Sequence, residues 1–318
     1  MTAPDLDFEM LVMAAHSVRG VGSATLASLL RGMAIQRVSP ADVSCLTAGD
    51  LRARFGIPHR EASGIAAALR APRLDLVAMS ERLHRAGGSV VTLLDAAYPA
   101  RLTRWMSPSP PVLYLRGDAA LLNSPLIAVA NSNGASASAV RATDAAVSQA
   151  LDAGFTPVTG HNRPEYQQAA LVARRRGAPV CYVLDRGLVT VLENRDDTAL
   201  FHAARIWPSG SRTNDLVLST CPPLLSGAVG TNRLRDATVM ALATAIVAAH
   251  VRPGGRMASL LEQAIRSGRP VAWLGEAASK PANLSGPSLT PLDAEDASAV
   301  SDWLARTLPG QMATGSLP

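Results

Sequence analysis

The 318-residue chain is short of aromatic side chains (4%), short of charge (17%) and holds only three cysteines. So few aromatics exclude a long groove that stacks successive bases. Cys45, Cys181 and Cys221 stand far apart and lack metal-ligand spacing. The start, MTAPDLDFEM, is acidic and has no basic leader region. Cysteine usage and the missing leader together lead us to expect a reducing, cytoplasmic setting. No apolar run is long: Ala237–Ala249 has 13 residues and includes Thr238 and Thr244, too short to span a bilayer. A membrane partner is therefore not expected. Catalytic sets are missing as well. His16, His59, His84, His161, His202 and His250 form no metal signature, and there is no paired-carboxylate spacing and no G-x-S-x-G elbow. Cys221 follows an apolar run without an assignable base and reads as a buried structural thiol. We expect no enzyme, no cofactor and no metal.

What is present is a globular composition, with 48% hydrophobic residues. The formal charge is +5, from 30 basic and 25 acidic residues, which permits a nucleic-acid partner without demanding one. Residues 8–70 read as short helices. FEMLVMAAHSV has helical periodicity, RGVG follows, and SATLASLL begins at Ser23, a candidate cap. Gly56 and Pro58 interrupt a second pair of helical segments. SVVTLL and VLYL read as strands on either side of a proline-rich connector. From residue 126 strands and helices alternate: LIAVA, a helix from Ser136 to Ala153, FTPVTG, EYQQAALVARRRG, PVCYVLD, a helix near 196–204, DLVLST, LRDATVMALA, TAIVAAHV, RMASLLEQAIRSG and PVAWLG. That rhythm predicts an α/β fold with a mostly parallel sheet covered on both faces. Residues 277–290 read as a linker, and AEDASAVSDWLARTL as a last amphipathic helix. The expected division is a helical domain at 1–88, an α/β domain at 89–276, and a linker with a short helix at 277–318.

In such sheets ligands bind beyond the C-terminal strand ends, so the turns there are the candidates. The first holds Asn131, Ser132 and Gly134, whose small polar residues and amides can face an anion. It is neither GxGxxG nor a P-loop, and an ordinary N-cap turn also accounts for it. The second, TGHNR, offers Thr159, Gly160 and Arg163 to a phosphate. The third, LDRG, places Asp185 where it can bind a hydroxyl or simply end a strand. In GTNRLRD, Asn232 can cap a helix, with Arg233 and Arg235 in its first turn. Arginine there opposes the helix dipole and is better tolerated beside an anion. Gly255 and Arg256 repeat this logic in VRPGGRMAS. Near the N-terminus, Arg19, Gly20 and Gly22 form a helix–G-V-G–helix turn that can lay amides on a DNA phosphate, or serve only as packing. Arg174, Arg175 and Arg176 close a helix and read as a solvated face.

The segments LLDAAYPARLTRWMSPSPPVLYLRGD, IAVANS, GFTPVTG, GTNRLRD and RPGGRMASLLEQAIRSGRPVAWLG, in this order, resemble the bacterial DNA-processing protein A family, also called Smf. VRGVGSATLASLL is similar to that family's N-terminal module. The resemblance covers residues 8–275. It implies an extended Rossmann-like domain after a small helix-hairpin-helix or SAM-like domain. It further implies a non-catalytic single-stranded-DNA-binding protein that delivers DNA to a recombinase in natural transformation, and a homodimer or a heteromeric pair. By the same resemblance, Asn232 and Arg233 match the last two residues of the family's Arg-Asn-Arg motif, with Thr231 in place of the first arginine. Gly160 and Thr159 match its Ser-Gly motif, and Gly255 the glycine of its later Ser-Gly motif. The chain departs from the family where Ala130, Asn131 and Ser132 replace Gly-Ser-Arg, where Ala249 replaces a glutamate, and where Thr220 replaces the acid of a Ser-Glu pair. Arg163, Arg235 and Arg256 are the cations left to compensate. The competing readings are a nucleotide-sensing protein of Rossmann-like fold and an interaction subunit with a degenerate pocket.

Overall fold

The structure, a computed structural model, describes residues 6–71, 73–193, 214–276, 280–281 and 283–308. They fall into two compact units. One is drawn from residues 1–116, 185–195 and 218–231, the other from 117–184, 196–217 and 232–318.

The first unit begins with α1 (Phe8–Ser17), α2 (Ser23–Gln36), α3 (Pro40–Cys45), α4 (Ala48–Phe55), α5 (His59–Arg70) and α6 (Arg73–Arg85). Asp7 caps α1 by accepting from the Met10 amide at 2.7 Å. Six consecutive residues of α1, Met10–Ala15, are buried, as expected of a helix apolar on all sides and placed at a unit's centre. Reciprocal capping boxes start α3 (Ser39 with Asp42) and α4 (Thr47 with Asp50). Gly56 ends α4 in the left-handed conformation at φ +67°, and Pro58 precedes α5, as the sequence indicates. Ser23, by contrast, is the first helical residue of α2 and not its cap. Gly22 holds the cap position and, having no side chain, gives no side-chain cap, while Gly20 in the preceding turn takes a positive φ of +97°.

A hairpin follows, β1 (Gly88–Thr92) antiparallel to β2 (Val112–Gly117). The connector contains a short helix, α7 (Ala100–Trp105), which the proline-rich sequence does not signal. The segment around the prolines is irregular, as expected. Tyr114 on β2 is fully buried, and its ring stacks on His16 at 5.8 Å between centroids. Its hydroxyl lies 3.1 Å from His16 Nδ1. The helix α10 (Leu188–Glu193) also belongs to this unit.

In the second unit β3 (Leu126–Val129), α8 (Ala137–Asp152), β4 (Thr156–Thr159), α9 (Pro164–Arg175), β5 (Cys181–Leu184), β6 (Leu216–Ser219), α11 (Thr231–Leu242), β7 (Ala245–Ala248), α12 (Arg256–Arg266) and β8 (Val271–Trp273) alternate as the periodicity predicts. The helix expected near 196–204 lies outside the described residues. With a last strand β9 (Leu289–Pro291), the strand order is β6-β5-β4-β3-β7-β8-β9. The pairs β3–β4, β3–β7, β4–β5, β7–β8 and β8–β9 are parallel. Every residue of β3, β4, β5 and β7 is buried, which explains why β3, β5 and β7 are runs apolar throughout and not alternating, while β4 buries Thr156 and Thr159 as well. The order reverses between β3 and β7, so the topological switch point lies between these strands.

Two details differ from the sequence reading. Residues 289–290, read as linker, belong to β9 (Leu289–Pro291), which adds to β8 in register Val271↔Leu289. Three residues among prolines and serines are too few to show a period. The last helix, α13 (Ala299–Thr307), starts later than AEDASAV suggests, because the Asp296 side chain turns the chain by accepting from the Ser298 amide. Val300, Trp303 and Leu304 bury its apolar face beside Ala142, Ala146 and Ala150 of α8. Gln149 Oε1 accepts from the Val300 amide at 2.8 Å.

Two stability predictions follow from this packing. Gly117 has φ +100°, and a Cβ there would stand 1.9 Å from the Asp215 carbonyl oxygen. Gly117→Ala is expected to cost about 2–4 kcal/mol in chemical denaturation. Burial pushes the His16 imidazole down to about 4 from 6.5, so the folded ring binds its proton more weakly than the unfolded one. Stability is therefore present above pH 6.5 and lost as pH falls toward 4. By about pH 5 the loss amounts to about 1–2 kcal/mol. Urea melts at stepped pH measure it, and His16→Phe should flatten the profile between those pH values.

Candidate nucleic-acid interface

The C-terminal ends of β3, β4 and β7 and the first turns of α11 and α12 build one rim in the second unit. Asn131 follows β3 and is buried. Its amide donates to Thr143 Oγ1 at 2.8 Å, and its Oδ1 accepts from the amides of Ala249 (3.1 Å) and His250 (2.9 Å). Ser132 is buried too. Its amide donates to the His250 carbonyl at 2.7 Å, and its Oγ accepts from the Arg252 amide at 3.0 Å. These two residues stitch the turn after β3 to the turn after β7. Their side chains hold the rim together and do not face outward for a ligand.

Beyond them the turn is exposed. Gly134 adopts φ +79°, and its amide donates to Glu165 Oε1 at 2.8 Å. Arg163 Nη1 donates to Asn133 Oδ1 at 3.1 Å, tying the turn after β4 to the same place. Thr159 is buried and donates from Oγ1 to the Tyr166 carbonyl. A Cβ on Gly160 would lie 2.7 Å from the Tyr166 ring, so a close aromatic contact requires that glycine. His161 is buried in the same turn.

Arg235 is oriented differently from the expectation for an outward cation. It has no exposed surface. Its Nε and Nη2 donate to Asp236 Oδ1 at 3.0 and 2.8 Å, Nη1 donates to Asn162 Oδ1 at 2.6 Å, and the guanidinium lies 4.8 Å over the Tyr166 ring. The Tyr166 hydroxyl donates to the same Asp236 oxygen at 2.5 Å. Burial, then the Asp236 charge, holds this phenol far above the usual tyrosine range. The helix explains the inversion: residues two apart are turned about 200° from each other, so Arg233 and Arg235 cannot share a face.

Arg233 and Arg256 are exposed, and Arg256 Nη2 reaches the Arg233 carbonyl at 3.5 Å. Asn232 is exposed and accepts the Arg233 amide on Oδ1. Gly255 is the N-cap of α12 and carries no side-chain cap, which leaves the first-turn amides facing the rim. The rim thus carries Arg233, Arg252 and Arg256 exposed and Arg163 partly buried. Sequence reading missed Asn133, Asn162, Glu165, Tyr166 and Arg252. Asn133, Asn162 and Arg252 lay within the candidate turns without being singled out, and Glu165 and Tyr166 left no trace.

Other candidates lie elsewhere. Arg19, Gly20 and Gly22 are exposed in the first unit, at the turn before α2. Asp185 is buried and pairs with Arg186 at 3.3 Å. In the arginine run, Arg174 pairs with Asp215 at 2.8 Å, Arg176 pairs with Asp152, and Arg175 is exposed. Cys221 is buried, and desolvation first, then Asp185, pushes its thiol up to about 11, which leaves no thiolate near neutrality. Among the described residues no group of His, Cys, Asp and Glu could hold a metal ion, and no helix is long and apolar enough to cross a membrane.

A parallel α/β sheet whose switch-point rim carries arginines and helix N-termini defines a Rossmann-like protein suited to anionic polymers. The family described as DNA recombination-mediator protein A matches residues 89–306, and the chain belongs to that family. That description makes its members recombination mediators. DNA processing protein A (DprA) from Streptococcus pneumoniae has a similar X-ray structure: TM-score 0.72, 17% identity, 95% of this chain and 99% of that one covered. DNA processing protein A from Helicobacter pylori, whose structure concerns its single-stranded-DNA binding mode, gives TM-score 0.49 and 17% identity over 61% of this chain and 85% of that one. No curated protein matches the sequence.

The buried pair gives a direct test of how the rim is supported. Arg235→Ala leaves Asp236 charged and enclosed, and should cost about 3–5 kcal/mol in urea denaturation. A loss below about 1 kcal/mol, the size of an exposed pair, would contradict the burial.

Proposed function

We propose that the chain is a recombination mediator that holds single-stranded DNA by its phosphates along this rim and passes it to a recombinase. The observation that carries the reading is the closed set of contacts joining the strand-end turns: Asn131 and Ser132 to 249–252, Asn133 and Gly134 to 163–165, Asn162 to Arg235, and Arg233 to Arg256. They gather Arg163, Arg233, Arg252 and Arg256 at one edge. In this reading Arg233 and Arg256 meet phosphates, aided by Arg163, Asn232 and the α12 amides behind Gly255. Asn131, Ser132, Thr159 and Gly160 shape the edge, and Arg235 acts from beneath it. Of the 30 basic residues only Lys280 is a lysine, and arginine's planar fork matches phosphate oxygens in pairs. Binding is largely blind to sequence, because phosphates and not base edges are touched.

Arg19, Gly20 and Gly22 offer a second phosphate contact from the helical unit. Family membership supports a recombinase partner and a homodimer, and the cysteine usage supports a cytoplasmic setting. A nucleotide-sensing role has one observation in its favour, a cleft of about 500 Å³ lined by Ser136, Arg141, His250, Glu276 and Glu295. A mononucleotide that binds there and leaves DNA affinity unchanged would favour sensing.

Anisotropy titrations of labelled oligothymidylate across a salt series test the DNA reading. Arg233→Ala and Arg256→Ala should each weaken binding roughly threefold to tenfold and reduce the salt slope by about 0.7, equally for different sequences. Wild-type affinity and slope in both variants would remove the rim from the mechanism.

A further inference from the structure

The turn after β3 offers one outward amide in a left-handed glycine conformation, and that amide is already engaged. Gly134 N–H donates to Glu165 Oε1 at 2.8 Å. The other carboxylate oxygen, Oε2, is enclosed and has no hydrogen-bond partner. Glu165 sits in the first turn of α9, two residues after Arg163, whose own guanidinium is turned to Asn133. One loop therefore places an internal anion on the amide, beside the cation, that a strand phosphate would use.

We infer that Glu165 sets the affinity of the rim for DNA by standing in for a phosphate at the Gly134 amide. The inference rests on the DNA reading of the rim and names a residue that works against it. The carboxylate is well chosen for this role. It is negative, it is held to the turn by a single hydrogen bond, and its second oxygen gains nothing from staying enclosed. A phosphate that arrives at this position must displace it or bind beside an uncompensated negative charge. Bound strands therefore make their contacts at Arg233, Arg252 and Arg256 and make little use of the Gly134 subsite. The strand is held loosely at this end of the rim, which suits a protein that must hand it on.

The experiment uses the full chain and labelled oligothymidylate, with the affinity and its salt slope as readouts. Glu165→Gln keeps the size and the acceptor but removes the charge. Glu165→Ala also frees the amide. Both should bind roughly threefold to tenfold tighter, the size expected of one charge about 6 Å from a phosphate in an aqueous environment. Both should steepen the salt slope by about 0.7. Glu81→Gln, the same charge change at an exposed carboxylate paired with Arg85 on α6, controls for net charge and should shift affinity less than about twofold, since an exposed charge is screened by salt. Glu165 variants that bind like wild type, or that shift no more than Glu81→Gln, overturn the inference. If Arg233→Ala still weakens binding in that case, the rim stands and only the role of Glu165 falls. If Arg233→Ala and Arg256→Ala have no effect either, the DNA reading itself has failed.

Discussion

Asp236 holds the rim from beneath. One of its carboxylate oxygens receives two donors from Arg235 and one from the Tyr166 hydroxyl, all out of solvent. Charges taken from water cost several kcal/mol apiece unless their partners are well placed, so this group tolerates little displacement. The geometry of the turn after β4 follows from it. Arg235 fixes Asn162, Tyr166 presses on Gly160, and Arg163 leaves the turn at a defined point. The outward cations depend on an inward one.

The same side chain type thus serves two purposes. Arg174, Arg176 and Arg235 are paired with Asp215, Asp152 and Asp236 and hold elements together. Arg233, Arg252 and Arg256 stand at the edge of the sheet, exposed. Net charge does not separate these groups. What matters for an anionic polymer is where exposed cations stand together, and among the described residues Arg233, Arg252 and Arg256 stand together where the strands end. The positions that depart from the family pattern fit this picture. Asn131 and Ser132, which the resemblance sets against the last two residues of Gly-Ser-Arg, tie the turns after β3 and β7 together with neutral hydrogen bonds.

The fold was legible wherever a strand is buried on both faces, because such strands are apolar from end to end. β3, β5 and β7 were read on that ground. Some short elements without such an apolar run escaped. α7, α10 and β9 are too short for a period to declare itself. That Arg163, Arg233 and Arg256 lie along one rim was legible because the turns that follow parallel strands share one edge of the sheet. Arg235 was misjudged by reading it beside Arg233 along the chain and not around the helix.

Local sequence determined the alternation of strands and helices, the caps at Asp7, Ser39 and Thr47, and the turns that carry the arginines, since each depends on neighbours within a few residues. Tertiary structure decided which polar groups face outward. Asn131 reaches across 118 positions to the Ala249 amide, Tyr166 across 70 to Asp236, and Glu165 across 31 to Gly134. A hydrogen bond depends on distance in space, and no local pattern in a chain records which distant atom will arrive beside it.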